Sequence, residues 1–185
     1  MKFTKKTAPL LILIFIVLFS SCGYVPQRIT DIEVAPIQII IDSLTNNDGN
    51  AYRKAFPAEY DALISADYEV SDCTNFSDYI SKMLSEAQTA NEDTYGKKVT
   101  VEFFIKEKID IEMSKYSSYF TDYDDYHVSN YTLSPKNVEK AILVNGNLYT
   151  HGSKTDSTRD ASYVLIKQNG VWYLHPIYYF LSFSG

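Results

Sequence analysis

The run ASYVLIKQNGVWYLH, residues 161–175, holds two β-prone segments on either side of Gln168-Asn169-Gly170. A two-residue hairpin turn that matches the twist of its strands needs positive φ at both central residues, which Asn and Gly tolerate best. The spacing therefore predicts a strand over 161–167, a tight turn, and a returning strand over 171–175. Residues 178–183 extend this sheet or pack on it.

Upstream, GSKTDSTRD (152–160) is wholly hydrophilic and reads as a turn. Before it, 138–150 alternates as one long strand. Asn145-Gly146 lies inside that strand and is itself a turn signal, but 152–160 is the longer break, so the pair is kept within the strand. In 99–106, Val99, Val101, Phe103 and Ile105 alternate with Thr100, Glu102, Phe104 and Lys106, which predicts a strand with its first set buried. Residues 109–119 read as a short helix.

Earlier still the period changes to that of a helix. Ile37, Ile40, Ile41 and Leu44 fall at i, i+3, i+4 and i+7, and Asn46-Asn47-Asp48-Gly49-Asn50 breaks the pattern. A second helix puts Tyr52, Ala55 and Phe56 on one face before Pro57, and Tyr60, Leu63 and Ile64 continue an apolar stripe. The third keeps Phe76, Tyr79, Ile80, Met83, Leu84 and Ala87 in register, opened by Asn75 with Asp78 as a capping pair and stopped at Gly96. Helices first and an antiparallel meander after them make an α+β domain.

The N-terminus carries a different message. Lys2, Lys5 and Lys6 precede an unbroken apolar run over 10–19, followed by Ser20 and Ser21. That is the layout of a secretory signal, and the run is shorter than the roughly 20 apolar residues of a spanning helix. Leu18-Phe19-Ser20-Ser21-Cys22 resembles the bacterial lipoprotein lipobox, with Phe19 where leucine is usual. The resemblance implies cleavage after residue 21 and lipidation of Cys22, which anchors the chain at the outer surface of the cell membrane. Residues 22–35, with Pro26 and no clear period, read as a tether that reaches roughly 40 Å, and 36–185 as a single domain.

After residue 21 there are 14 basic and 23 acidic residues, a net charge of −9. That balance disfavours nucleic acid as a partner. Cys73 is the only cysteine besides Cys22 and reads as a small, partly buried filler, so the fold is expected to stand on its core without disulfides. The 16 Tyr and 10 Phe supply that core and leave hydroxyls for a rim.

Signatures of chemistry are sparse. YSSYFTDYDDYHVSNY (116–131) offers Asp122, Asp124, Asp125 and His127, but it lacks the turn glycine and closing glutamate of a calcium loop. His127, His151 and His175 are too widely spaced for a local metal motif, and neither a nucleophile elbow nor a glycine-rich phosphate loop is present. No metal and no cofactor are expected.

Three stretches carry a wider likeness. They are Ala51-Tyr52-Arg53-Lys54-Ala55-Phe56-Pro57, Tyr95-Gly96-Lys97, and Ala161-Ser162-Tyr163-Val164 with Asn169-Gly170-Val171-Trp172-Tyr173-Leu174. With the order of elements they resemble the nuclear transport factor 2-like fold over 35–176, and in particular lipoproteins of Gram-positive bacteria that bear it. The resemblance implies a curved sheet wrapped with helices into a cone, and no particular activity. Some enzymes of that fold work inside the cone with an Asp or His base and a Tyr hydroxyl; on that likeness Tyr52, Tyr60, Tyr163, Tyr173 and His175 are the candidate pocket residues, and no catalytic residue is assigned. The leading expectation is a lipid-anchored domain that binds a small molecule, peptide or envelope protein without catalysis. Its alternatives are a small cone enzyme (isomerase, dehydratase or hydrolase) and a dimerisation module.

Overall fold

A computed structural model describes residues 28–58, 60–61, 72–116 and 138–176. Outside them lie the signal segment, Cys22, Leu63, Ile64, most of the Tyr/Asp-rich run with His127, and residues 178–183.

Helix α1, Ala35–Asn46, starts where Pro36 fits the first turn and ends at Asn47, whose φ of 51° is left-handed. Its stripe buries Ile37 and Ile41. Asp48 then caps α2, Gly49–Lys54, by accepting from the Ala51 N–H at 2.9 Å. Helix α3, Phe76–Tyr95, begins as expected: Asn75 Oδ1 accepts from the Asp78 N–H at 2.9 Å, and Asp78 accepts in return from the Thr74 N–H at 3.1 Å. Gly96 stops it with φ of 90°. A one-turn helix, α4, spans Met113–Tyr116.

Four strands form one antiparallel sheet in the order β1-β2-β3-β4: β1 Thr100–Ile111, β2 Lys140–His151, β3 Asp156–Gln168 and β4 Val171–Leu174. The fold is α+β, helices followed by an antiparallel meander. Gln168 pairs with Val171 across Asn169 (φ 50°) and Gly170 (φ 77°), the positive-φ turn that their dipeptide predicts. Asn145-Gly146 indeed lies within β2. A Cβ on Gly146 would sit 2.3 Å from the Phe104 carbonyl oxygen, so the glycine is there because β1 passes close.

Two expectations need correction. The first concerns β1, which runs on to Ile111 and takes in residues read as the start of a helix. A bulge between Ile105 and Glu107 breaks its alternation. Phe103 is buried and Val101 packs on the core, but Ile105 is 38 % exposed while Glu102 is only 3 % exposed. The second concerns 152–160: β3 already begins at Asp156. Its polar start is held by pairs across the sheet, with Asn147 donating to Asp160 at 2.9 Å and Lys106 to the same carboxylate at 2.8 Å.

The helices pack on one face of the sheet. Ile37, Phe56, Ile80, Leu84, Phe103, Ile142, Val144, Tyr163, Leu165 and Leu174 belong to that core. On the other face Val138, Ala141 and Ile166 form a second cluster with Ile111 and Tyr173 packed against it. Residues 28–34, read as tether, lie on the domain. Arg28 pairs with Asp42, the Ile29 N–H donates to Gln38 Oε1 at 2.9 Å, and Val34 is fully buried. Lys108 Nζ donates to Asp31 at 2.6 Å and to Glu33 at 3.3 Å. The Lys108 bond, with help from the Glu33 N–H, holds the Asp31 carboxyl below the ordinary range.

Candidate functional site

The five residues expected to share a pocket lie in different places. Tyr52, Tyr60 and Tyr163 are nearly inaccessible in the main core. Phe56 stacks on Tyr60 at 4.0 Å and meets Tyr52 at 5.3 Å; Tyr60 is edge-on to Phe76 at 5.8 Å, and Tyr163 edge-on to Phe103 at 5.0 Å. These are packing geometries of aromatic cores. Tyr173 pairs with Ile166 and belongs to the opposite face. His175 is fully buried beyond β4, its N–H donating to the Val164 carbonyl at 2.8 Å. Desolvation pushes its imidazole down to about 3.

A polar cluster that the sequence did not reveal sits where β2 turns into β3. Asp156 accepts from the Tyr149 hydroxyl at 3.0 Å and from the Gly152 N–H at 3.3 Å, and meets His151 Nδ1 at 2.5 Å. The two rings stack at 6.5 Å. Partial desolvation pushes Asp156 up, but the bonds from Tyr149, Gly152 and His151 together hold it below the ordinary range. The same bond, then desolvation and the charges of Asp156 and Glu102, raises Tyr149. A raised phenol and a carboxylate committed to three donors of its own hairpin make a turn clasp, not an activated base.

Where the ends of α1 and α3 meet the start of β1, the surface opens into a groove of about 290 Å³. Its apolar lining residues are Leu44, Val99 and Val101; its polar ones are Thr45, Gln88, Asn91, Glu92 and Lys98. Gln88 builds the wall: its Nε2 donates to the Leu44 and Thr45 carbonyls at 2.6 and 3.0 Å, meeting groups that α1 leaves unpaired at its end. Neither helix has a basic residue in its last turn. The segment that leads into Lys98 is fixed by the β2–β3 turn. The Lys97 N–H donates to Ser153 Oγ at 2.8 Å, the Lys154 N–H to the Tyr95 carbonyl at 2.8 Å, and Lys154 Nζ to the Asp93 carbonyl at 3.1 Å. Lys98 is held at φ 57°, in the left-handed region that a side chain occupies only at a cost of about 1 kcal/mol or more. Strain at the lip of a groove walled by braced side chains marks this place as the candidate site.

Among the described residues no group of three or more His, Cys, Asp or Glu is placed to hold a metal ion, and no helix is long and apolar enough to cross a membrane. No protein-family model matches the chain, and no curated protein or solved structure matches it at a significant level.

Proposed function

We propose that this chain is a lipid-anchored extracytoplasmic binding domain. Cys22 carries the lipid after removal of residues 1–21, the domain is a cone of the nuclear transport factor 2-like kind, and it holds a small ligand without transforming it. The layout of residues 1–22 supports the anchor. The order of helices and antiparallel strands supports the cone.

The observation that carries the binding reading is the groove between α1, α3 and β1, lined by apolar, amide and charged side chains together. Binding sites are commonly concave, mostly apolar and furnished with a few fixed polar groups, and a volume of about 290 Å³ sits at the small end of their range. Against catalysis stands His175: the one base in the expected pocket is sealed from solvent and held neutral.

The test has two arms. Mass spectrometry of the native N-terminus reads a diacylated Cys22; an unmodified Cys22 in a membrane-free protein overturns the anchor. Thermal-shift screening of the detergent-purified chain against metabolites and cell-wall fragments reads the ligand; no stabilising compound across a broad set overturns the binding reading.

A further inference from the structure

The groove holds one anion and one cation. Glu92 is in the last turns of α3, and Lys98 follows the helix by way of the clasped segment 95–97. Neither enters an ion pair among the described residues, although both line the same space. The Glu92 side has further negative character. The carbonyl ends of α1 and α3 converge there, each helix terminus carries about half a negative charge, and no basic residue stands in either last turn. Lys154 answers two α3 carbonyls, that of Asp93 through Nζ and that of Tyr95 through its backbone N–H. A cationic group is therefore favoured beside Glu92 and an anionic one beside Lys98, and Leu44, Val99 and Val101 in the same lining can take an aliphatic group.

We infer that the groove between α1, α3 and β1 takes a zwitterion, an aliphatic α-amino acid or a dipeptide ending in one, with its ammonium toward Glu92, its carboxylate toward Lys98 and its side chain on Leu44, Val99 and Val101. The inference rests on the binding reading above and adds the ligand class. Lys98 stands with a left-handed backbone just before the strand start, and its exposed side chain is open to a ligand.

Isothermal titration of the full-length chain in detergent micelles tests it with four probes: L-leucine, L-alanyl-L-leucine, 4-methylpentanoate, which lacks the ammonium, and isopentylamine, which lacks the carboxylate. Leucine or the dipeptide is expected to bind, and each singly charged analogue to bind roughly tenfold more weakly or worse, the loss of one charge-assisted contact. Glu92→Gln and Lys98→Asn are each expected to weaken the zwitterion by roughly tenfold with the melting curve retained; Asn is chosen because it accepts the left-handed backbone. Equal binding of isopentylamine or 4-methylpentanoate overturns the inference, as does full affinity in either variant. Silence from all four probes, with a stabilising compound found in the wider screen, overturns the zwitterion and leaves the binding domain standing; silence in both overturns both.

Discussion

His175 and Lys98 are each held where an isolated residue would not stay. For His175 the consequence is a pH dependence whose sign follows from burial. The folded imidazole titrates near 3 and the unfolded one near 6.5. Above pH 6.5 neither state takes up a proton there. As pH falls below 6.5 the unfolded chain binds one that the folded chain refuses, so stability declines by up to about 1.4 kcal/mol per pH unit. Urea unfolding at pH 7.5 and pH 5.0 should differ by about 2 kcal/mol, and His175→Leu should flatten the difference; carboxylates such as Asp31 contribute only below about pH 4. For Lys98 the consequence is a conflict between stability and binding. Lys98→Gly relieves the left-handed backbone and should raise the unfolding free energy by about 0.5–1 kcal/mol while weakening ligand. Unchanged stability in that variant would show that its backbone stores no strain. Gly146 has no such latitude: Gly146→Ala drives a methyl toward the Phe104 carbonyl and should cost about 2–3 kcal/mol in the same assay.

Among the elements, the helices and the final hairpin were readable because their signals are local. A stripe, a cap and a stop lie within a few residues of each other, and Asn169-Gly170 sets its own turn. Asn75→Ala should accordingly remove about 1 kcal/mol of stability, seen as a lower urea midpoint with an unchanged slope. Strand β1 was misread because a bulge is a property of two strands at once: nothing in 99–106 announces the break between Ile105 and Glu107, nor that Ile105 is left exposed while Glu102 is buried. The polar start of β3 was misread for the same reason, since Asp156 and Asp160 find their partners on β2 and β1, not in their own segment. The groove was invisible at this scale. Its walls come from 44–45, 88–92 and 98–101, stretches without a shared motif, and Gln88 looks like any helix-surface glutamine until α1 ends against it. Only Gly96-Lys97-Lys98, an abrupt exit from a long helix, gave a hint.

For the molecule as a whole, the expected pocket rested on the likeness to cone-fold enzymes, and the same tyrosines and histidine serve packing equally well. Tyr52, Tyr60 and Tyr163 are the main core's own aromatics, and Tyr173 serves the other face. The proposed location rests on Cys22. Cys22→Ala should shift the protein out of the membrane fraction on cell fractionation, and retention of the variant with the wild type would refute the lipid anchor.

Residues 28–34 would give the proposed anchor a mechanical property. They double back along α1, so a pull on the N-terminus loads their contacts one after another, as in opening a zip, and never all together. Arg28–Asp42 meets the load first, then the Ile29–Gln38 bond, then the Lys108 pairs. Exposed ion pairs of this kind hold about 1 kcal/mol or less each. A small tug therefore frees residues 28–33, roughly 20 Å of extended chain, and further extension halts where Val34 enters the core. A domain held by the proposed anchor would thus yield to a pull by paying out slack, its interior untouched.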